Sequence, residues 1–179
     1  STIEAQIRSL VNKAPNRVAP LTIPMSISNI ASGAIAIKFG LLGSSFSITS
    51  ACASSTHCIG EAYRNIKDGY SDIIFAGGSE ASICEFGISS FQSLTALSKS
   101  EDRNRASIPF DLNRNGFVMG EGAGVLILED LESALKRGAK IYCEIVGYGT
   151  TSDAYHITSP CPDGNGAYRC MRDAMADAG

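Results

Sequence analysis

The sequence predicts an α/β fold with helices packed on mixed sheets. Strand, helix and strand follow one another within roughly thirty residues, from Phe46 to Gly78, the order of a parallel crossover unit. Apolar residues recur at helical spacing in several segments, while others are short apolar runs of strand length. Glycine, serine and alanine make up about a third of the chain, which suits closely apposed backbones in layers better than a loose helical bundle.

The elements follow in order. Thr2 to Val11 has Ile3, Ile7, Leu10 and Val11 on one helical face, and Pro15 stops it. A loop with Pro15, Pro20 and Pro24 leads to a second helix, Ile30 to Phe39, capped by Ser28 or Asn29 and ended by Gly40. Phe46 to Ser50 alternates as a strand. Ala53 to Asp68 reads as helix, with Ile59, Ala62, Tyr63 and Ile66 at i, i+3, i+4 and i+7 and Gly69 as its stop. Asp72 to Gly78 is a buried strand. Ser89 to Leu97 reads as a short helix, Ser98 to Ser107 as a polar loop and Val118 to Glu129 as a glycine-studded strand. A helix at Leu131 to Arg137 stops at Gly138, Ile141 to Gly147 is another strand, Asp153 to Gly166 a loop and Ala167 to Ala178 the last helix.

Composition narrows the function. With 44% apolar residues, 18% charged residues and a net charge of −3, the chain is neither disordered nor matched to a polyanion. No nucleic acid and no membrane are expected as partners. The longest apolar stretches, such as Ala123 to Leu128, are far below the ~18 residues a membrane span needs. Ser1 to Arg8 reads as amphipathic helix rather than a signal. The six cysteines form no CxxC pair and the only histidines are His57 and His156, so no metal site is expected. Reduced thiols and a cytoplasmic setting follow as the default.

Two segments invite chemistry. Gly120-Glu-Gly-Ala-Gly124 has the glycines of a nucleotide loop but runs straight into the strand Val125 to Leu128. Close strand packing therefore explains it better than a phosphate cradle. Ser50-Ala-Cys-Ala-Ser-Ser55 puts Cys52 at a strand-to-helix turn among small neighbours, where a substrate can approach the sulfur. Unpaired amides and the positive end of the helix dipole favour thiolate there, and the same amides suit a developing oxyanion. Free cysteines are also among the most buried residues, so on position alone a nucleophile and a structural cysteine stand level. His57 lies about 140° round the helix from Cys52 and points to another face, which favours a structural role. His156 sits in the Asp153 to Gly166 loop, where a bond to backbone is its simplest role.

Ser50-Ala-Cys-Ala-Ser54 before a helix, Phe75-Ala-Gly-Gly-Ser-Glu80, Pro109-Phe-Asp111, Gly116-Phe-Val-Met-Gly-Glu-Gly-Ala-Gly124 and Ser152-Asp-Ala-Tyr-His-Ile-Thr-Ser-Pro160 occur in one order along nearly the whole chain. Together they resemble the β-ketoacyl-acyl-carrier-protein synthases, most of all the elongating type II fatty-acid enzymes. The resemblance implies a thiolase-like layered αβαβα architecture, incomplete in this chain, with residues 1–139 from the later part of the N-terminal half and 140–179 opening the C-terminal half. It also implies a homodimer in the complete protein and acyl carrier protein as partner. No cofactor is implied: the substrate rides on the carrier's phosphopantetheine.

The reaction so implied is a decarboxylating condensation. Cys52 takes an acyl group as a thioester, with its own N–H as one oxyanion donor, and malonyl carrier protein then extends it to a 3-oxoacyl product. Thr158 and Ser159 match residues that bond the pantetheine arm. Asp153 to Ser159, with Asp153 and His156, resembles a gating loop. Gly87 and Phe91 match positions lining the acyl pocket, and Thr22 occupies another that is often aromatic. The family's two later histidine motifs have no counterpart here, and neither His57 nor His156 aligns with them, so the chain alone is expected not to condense. Other readings are a ketosynthase domain of a polyketide synthase, a non-catalytic chain-length partner, against which the retained Cys52 argues, and an unrelated cysteine hydrolase or acyltransferase.

Overall fold

The computed structural model describes residues 1–179. In chain order the elements are α1 (Thr2–Asn12), α2 (Ile30–Phe39), α3 (Ser54–Lys67), β1 (Ile73–Glu80), α4 (Glu85–Ser93), β2 (Gly122–Glu129), α5 (Leu131–Lys136) and α6 (Asn165–Ala178). They fall into two compact units. One comprises Ser1–Ser47 and Ser79–Ala123, the other Ile48–Gly78 and Gly124–Gly179.

In the first unit, Ser1 caps α1 by accepting a hydrogen bond from the Glu4 N–H at 3.3 Å, one of the donors a helix start leaves unpaired. Arg8 then ties α1 to α4, bonding Glu4 at 2.9 Å and also Glu85. Helix α2 ends at Gly40, whose φ of 65° lies in the left-handed region that glycine adopts without a Cβ penalty. The next amide, Leu41 N–H, closes the end by donating to Ala36 at 2.9 Å. Beyond α4, Leu97 and Phe117 form an isolated parallel bridge. No apolar side chain of this unit is buried in the chain; Ile37 of α2 is 87% exposed and Leu42 99%.

The second unit holds the core. Strands β1 and β2 pair antiparallel, with Asp130 N–H donating to Asp72 at 2.9 Å at one end and Gly77 facing Gly124 and Val125 further along. Ala62 of α3, Ala76 of β1 and Leu128 of β2 form the buried centre, flanked by Ile59, Tyr63 and Ile66 of α3. That helix face is the periodic set visible in the sequence. Asp130 caps α5 through the Ser133 N–H at 3.0 Å, and Arg137 grips Glu129 with two nitrogens at 2.8 and 2.6 Å. The extended segment 147–149 runs between two helices. Gly147 and Gly149 lie so close to α6 that a Cβ would strike the carbonyls of Ala174 and Cys170, while the Tyr148 ring abuts Gly60 of α3. Lys67 of α3 and Asp177 of α6 pair at 2.8 Å.

Five expectations need correction. Phe46 to Ser50 and Ile141 to Gly147 form no strand, since neither has a ladder partner in the chain. The expected parallel crossover is therefore absent, and the only sheet is the antiparallel β1–β2 pair. The helix expected at Ser89 to Leu97 starts earlier, at Glu85, because Cys84 is its extended N-cap residue, with no side-chain hydrogen bond at the cap to announce the start. The strand expected from Val118 begins at Gly122, and Phe117 spends its backbone groups on Ala96 and Ser98 instead.

Candidate active site

Cys52 sits in a 3-10 turn, Ala51–Ala53, that leads directly into α3. Its thiol is free and exposed. The turn is sharp because Ala51 adopts a φ of 51°, a left-handed conformation that costs a residue with a Cβ about 1–2 kcal/mol. Such a residue persists only where its surroundings hold it. Ser54 does part of that work: its Oγ accepts the Ser50 N–H at 2.8 Å and donates to the Ala51 carbonyl at 2.8 Å. Gly78 of β1 lets the first turn of α3 come close, since a Cβ there would strike the Ser55 hydroxyl.

His57 faces the same turn from one helical turn further on. Its Nδ1 lies 2.6 Å from the Ser50 Oγ, and its Nε2 lies 3.1 Å from the Thr150 Oγ1. The Tyr148 ring stands edge-on to the imidazole, with centroids 6.4 Å apart and planes at 74°. The Arg64 guanidinium sits 4.7 Å from the centre of the Tyr148 ring. Burial pushes the Tyr148 phenol above its ordinary range, and a hydrogen bond from Thr150 works against that rise. His57 is thus engaged by Ser50 and Thr150, not by Cys52. Ser50 and Thr150 were not singled out by the sequence. Ser50 had the signal of opening the cysteine motif, whereas nothing local marks Thr150.

The loop after Thr150 carries the remaining candidates of this unit. Thr151 donates to the Gly166 carbonyl at 2.9 Å, and Asp153 accepts the Cys161 N–H at 2.8 Å. Ala154, beside Asp153, is a second left-handed alanine, with a φ of 50°. The His156 Nδ1 accepts the amides of Thr158 at 3.1 Å and Ser159 at 3.2 Å, so these three residues form one small turn. That leaves the hydroxyl-bearing side chains of Thr158 and Ser159 exposed. The Asp163 carboxylate pushes the Cys161 thiol up, while the Asn165 N–H and the Cys161 thiol hold Asp163 down. Gly87 and Phe91 lie on α4 in the other unit. Gly87 packs against the Ser82 carbonyl, and Phe91 meets Phe117 edge-to-face at 5.1 Å. The structure thus joins Ser50, His57 and Thr150 by hydrogen bonds beside the turn that carries Cys52, and His156, Thr158 and Ser159 into a separate group.

Comparison with known proteins gives this arrangement a context. Residues 1–134 match the model of the β-ketoacyl synthase N-terminal domain, and residues 142–179 match that of the C-terminal domain. A 3-oxoacyl-[acyl-carrier-protein] synthase 2 from Staphylococcus aureus is 48% identical over 178 residues, 99% of this chain and 44% of the relative. One of the same name from Synechocystis is 50% identical over 99% of this chain and 43% of its own length. The chain therefore spans less than half the length of the curated relatives it matches. Among solved structures, a ketosynthase in complex with its type II polyketide synthase acyl carrier protein superposes with a TM-score of 0.94 at 36% identity, over 99% of this chain and 45% of that one. The ishigamide ketosynthase/chain length factor gives 0.87 at 35% identity, over 99% and 42%. The fold is accordingly the thiolase-like one of the ketosynthases.

Proposed function

Because the chain belongs to the β-ketoacyl synthase family, we propose that it carries the acyl-accepting part of a decarboxylating condensation, with Cys52 as the nucleophile. The observation that carries this reading is the free, exposed thiol in the tight turn that opens α3. The Cys52 thiol gives up its proton and its sulfur attacks the thioester carbonyl of an acyl group on the phosphopantetheine of an acyl carrier protein. A bond from carbonyl carbon to the Cys52 sulfur forms, the bond to the pantetheine sulfur breaks, and the pantetheine thiol leaves with a proton. The Cys52 N–H, among the amides a helix start leaves unpaired, stabilises the tetrahedral oxyanion between these events. Malonyl carrier protein then loses carbon dioxide, its carbanion attacks the acyl-Cys52 carbonyl, and the Cys52 thiolate departs from a 3-oxoacyl product two carbons longer.

Thr158 and Ser159 present hydroxyls to the pantetheine arm, and the loop around Asp153 and His156 opens and closes over it. Gly87 and Phe91 belong to the acyl pocket. His57 is engaged at both ring nitrogens by Ser50 and Thr150, and His156 at Nδ1 by the amides of Thr158 and Ser159; neither stands in the family's later histidine motifs. On this reading the residues here perform acyl transfer to Cys52, and the chain alone is inactive in condensation. Residues 1–139 are read as the later part of the N-terminal half of the synthase domain and 140–179 as the start of its C-terminal half. A cytoplasmic setting and a homodimer of the complete protein belong to the same reading. The type II polyketide ketosynthase among the structural neighbours favours polyketide assembly as the second setting for the same chemistry.

The test is incubation with an acyl-acyl carrier protein, followed by peptide mass spectrometry. The expected result is a thioester adduct on Cys52 that is absent in Cys52→Ala, with no 3-oxoacyl product when malonyl carrier protein is added. An adduct confined to another cysteine overturns the assignment, and steady product formation overturns the division of labour.

A further inference from the structure

We infer that His57 is a positioning residue: anchored on Thr150, it holds the turn that carries Cys52 by way of Ser50. This rests on the Cys52 reading above and adds to it a residue that neither the motif nor the helical geometry assigned. The imidazole bridges two hydroxyls, its Nδ1 2.6 Å from the Ser50 Oγ and its Nε2 3.1 Å from the Thr150 Oγ1. An imidazole with one ring proton donates through one nitrogen and accepts at the other, and a hydroxyl can do either, so one tautomer satisfies both contacts at once. Buried Tyr148, edge-on to the imidazole, fixes the ring's orientation.

This arrangement matters because of what Ser50 adjoins. Ala51 is in the left-handed conformation, and a strained residue of that kind stays put only when its flanks are held. Ser54 holds the turn from its helical side through the Ser50 N–H and the Ala51 carbonyl. His57 holds Ser50 by its side chain, so both ends of the turn are fixed and the sulfur is presented in one position. Thr150 stands three residues before Asp153, so the same imidazole also ties the nucleophile turn to the start of the loop that presents Thr158 and Ser159.

Two measurements on the intact chain test this. In a 15N-labelled sample, long-range nitrogen–proton correlation should show His57 fixed in a single tautomer; with only two histidines, His156→Gln completes the assignment. In competitive alkylation with iodoacetamide, exposed Cys143 serves as the internal reference for Cys52. Ser50→Ala should lower the Cys52-to-Cys143 rate ratio about five-fold, the effect of losing one ordinary hydrogen bond. Ser50→Thr, which keeps the hydroxyl, should restore it. Thr150→Val, on a different segment, should act in the same direction and keeps the test open if Ser50→Ala fails to fold. A His57 that exchanges between both tautomers, or a high wild-type ratio that neither variant moves, overturns the inference while leaving Cys52 as nucleophile. A wild-type ratio near one overturns the Cys52 reading itself, and the role of His57 with it.

Discussion

Gly60 is the position where a single methyl group tests the packing most directly. It lies in the interior of α3, and a Cβ built on it would fall within the ring of Tyr148, itself 8% exposed. Two opposing effects set the sign of Gly60→Ala. Alanine is favoured over glycine inside a helix by about 1 kcal/mol. Against this, overpacking a filled site costs about 1–3 kcal/mol. The upper end applies, because Tyr148 cannot retreat: its neighbours Gly147 and Gly149 are in backbone contact with α6. Moving the ring also weakens its contact with the Arg64 guanidinium, worth about 0.5–1 kcal/mol. The net expectation is a loss of about 2 kcal/mol, which for a chain of this size lowers the melting midpoint by about 4–8 °C. Thermal unfolding followed by circular dichroism measures it. In a Tyr148→Ala background the clash is gone, and Gly60→Ala should instead stabilise by about 1 kcal/mol. A midpoint unchanged or raised by Gly60→Ala in the wild-type background would refute the argument that this glycine exists to admit the ring.

Ala51→Gly removes the Cβ from a left-handed residue and should raise stability by about 0.5–1 kcal/mol, yet slow acylation of Cys52 by loosening its turn. Urea unfolding and adduct kinetics on the same sample check both halves, and faster acylation would show that the turn need not be rigid. The Asp177 carboxyl is held below its ordinary range, first by Lys67 and then by the Tyr148 N–H. A depressed carboxylate contributes stability above its unfolded value, near 4, and that contribution disappears as pH falls through the lower folded value. Asp177→Asn should therefore flatten the fall in unfolding midpoint as pH drops below about 4, a difference read from melts at a series of acidic pH values.

Most helices are legible in the sequence because their signals are local. Gly40 and Gly138 mark helix ends through a conformation that other residues avoid, and Ile59, Ala62, Tyr63 and Ile66 trace the buried face of α3 by spacing alone. Helix α4 is displaced from its expected position because its N-cap residue, Cys84, contributes no side-chain hydrogen bond. Strands are harder, since alternation records which way side chains point and not what the backbone pairs with. Phe46 to Ser50 alternates as a strand does and Ile141 to Gly147 is a short, mostly apolar run, and yet neither has a ladder. At the site, Cys52 was visible because its turn, its small neighbours and the following helix are contiguous. The His57–Thr150 bond spans 93 positions, and no local pattern announces it.

The segment 147–149 has a consequence for which changes of length the chain can absorb. Its residues alternate a bare face toward one helix with a bulky ring toward another, so adding or deleting one residue there would turn the ring into the α6 backbone and a glycine toward Gly60. Only a slip of two residues keeps the faces matched, and that would carry Thr150 beyond reach of the imidazole. Insertions tolerated during divergence should therefore collect downstream, in the exposed residues around Pro162, while the spacing from Ile145 to Thr150 stays fixed.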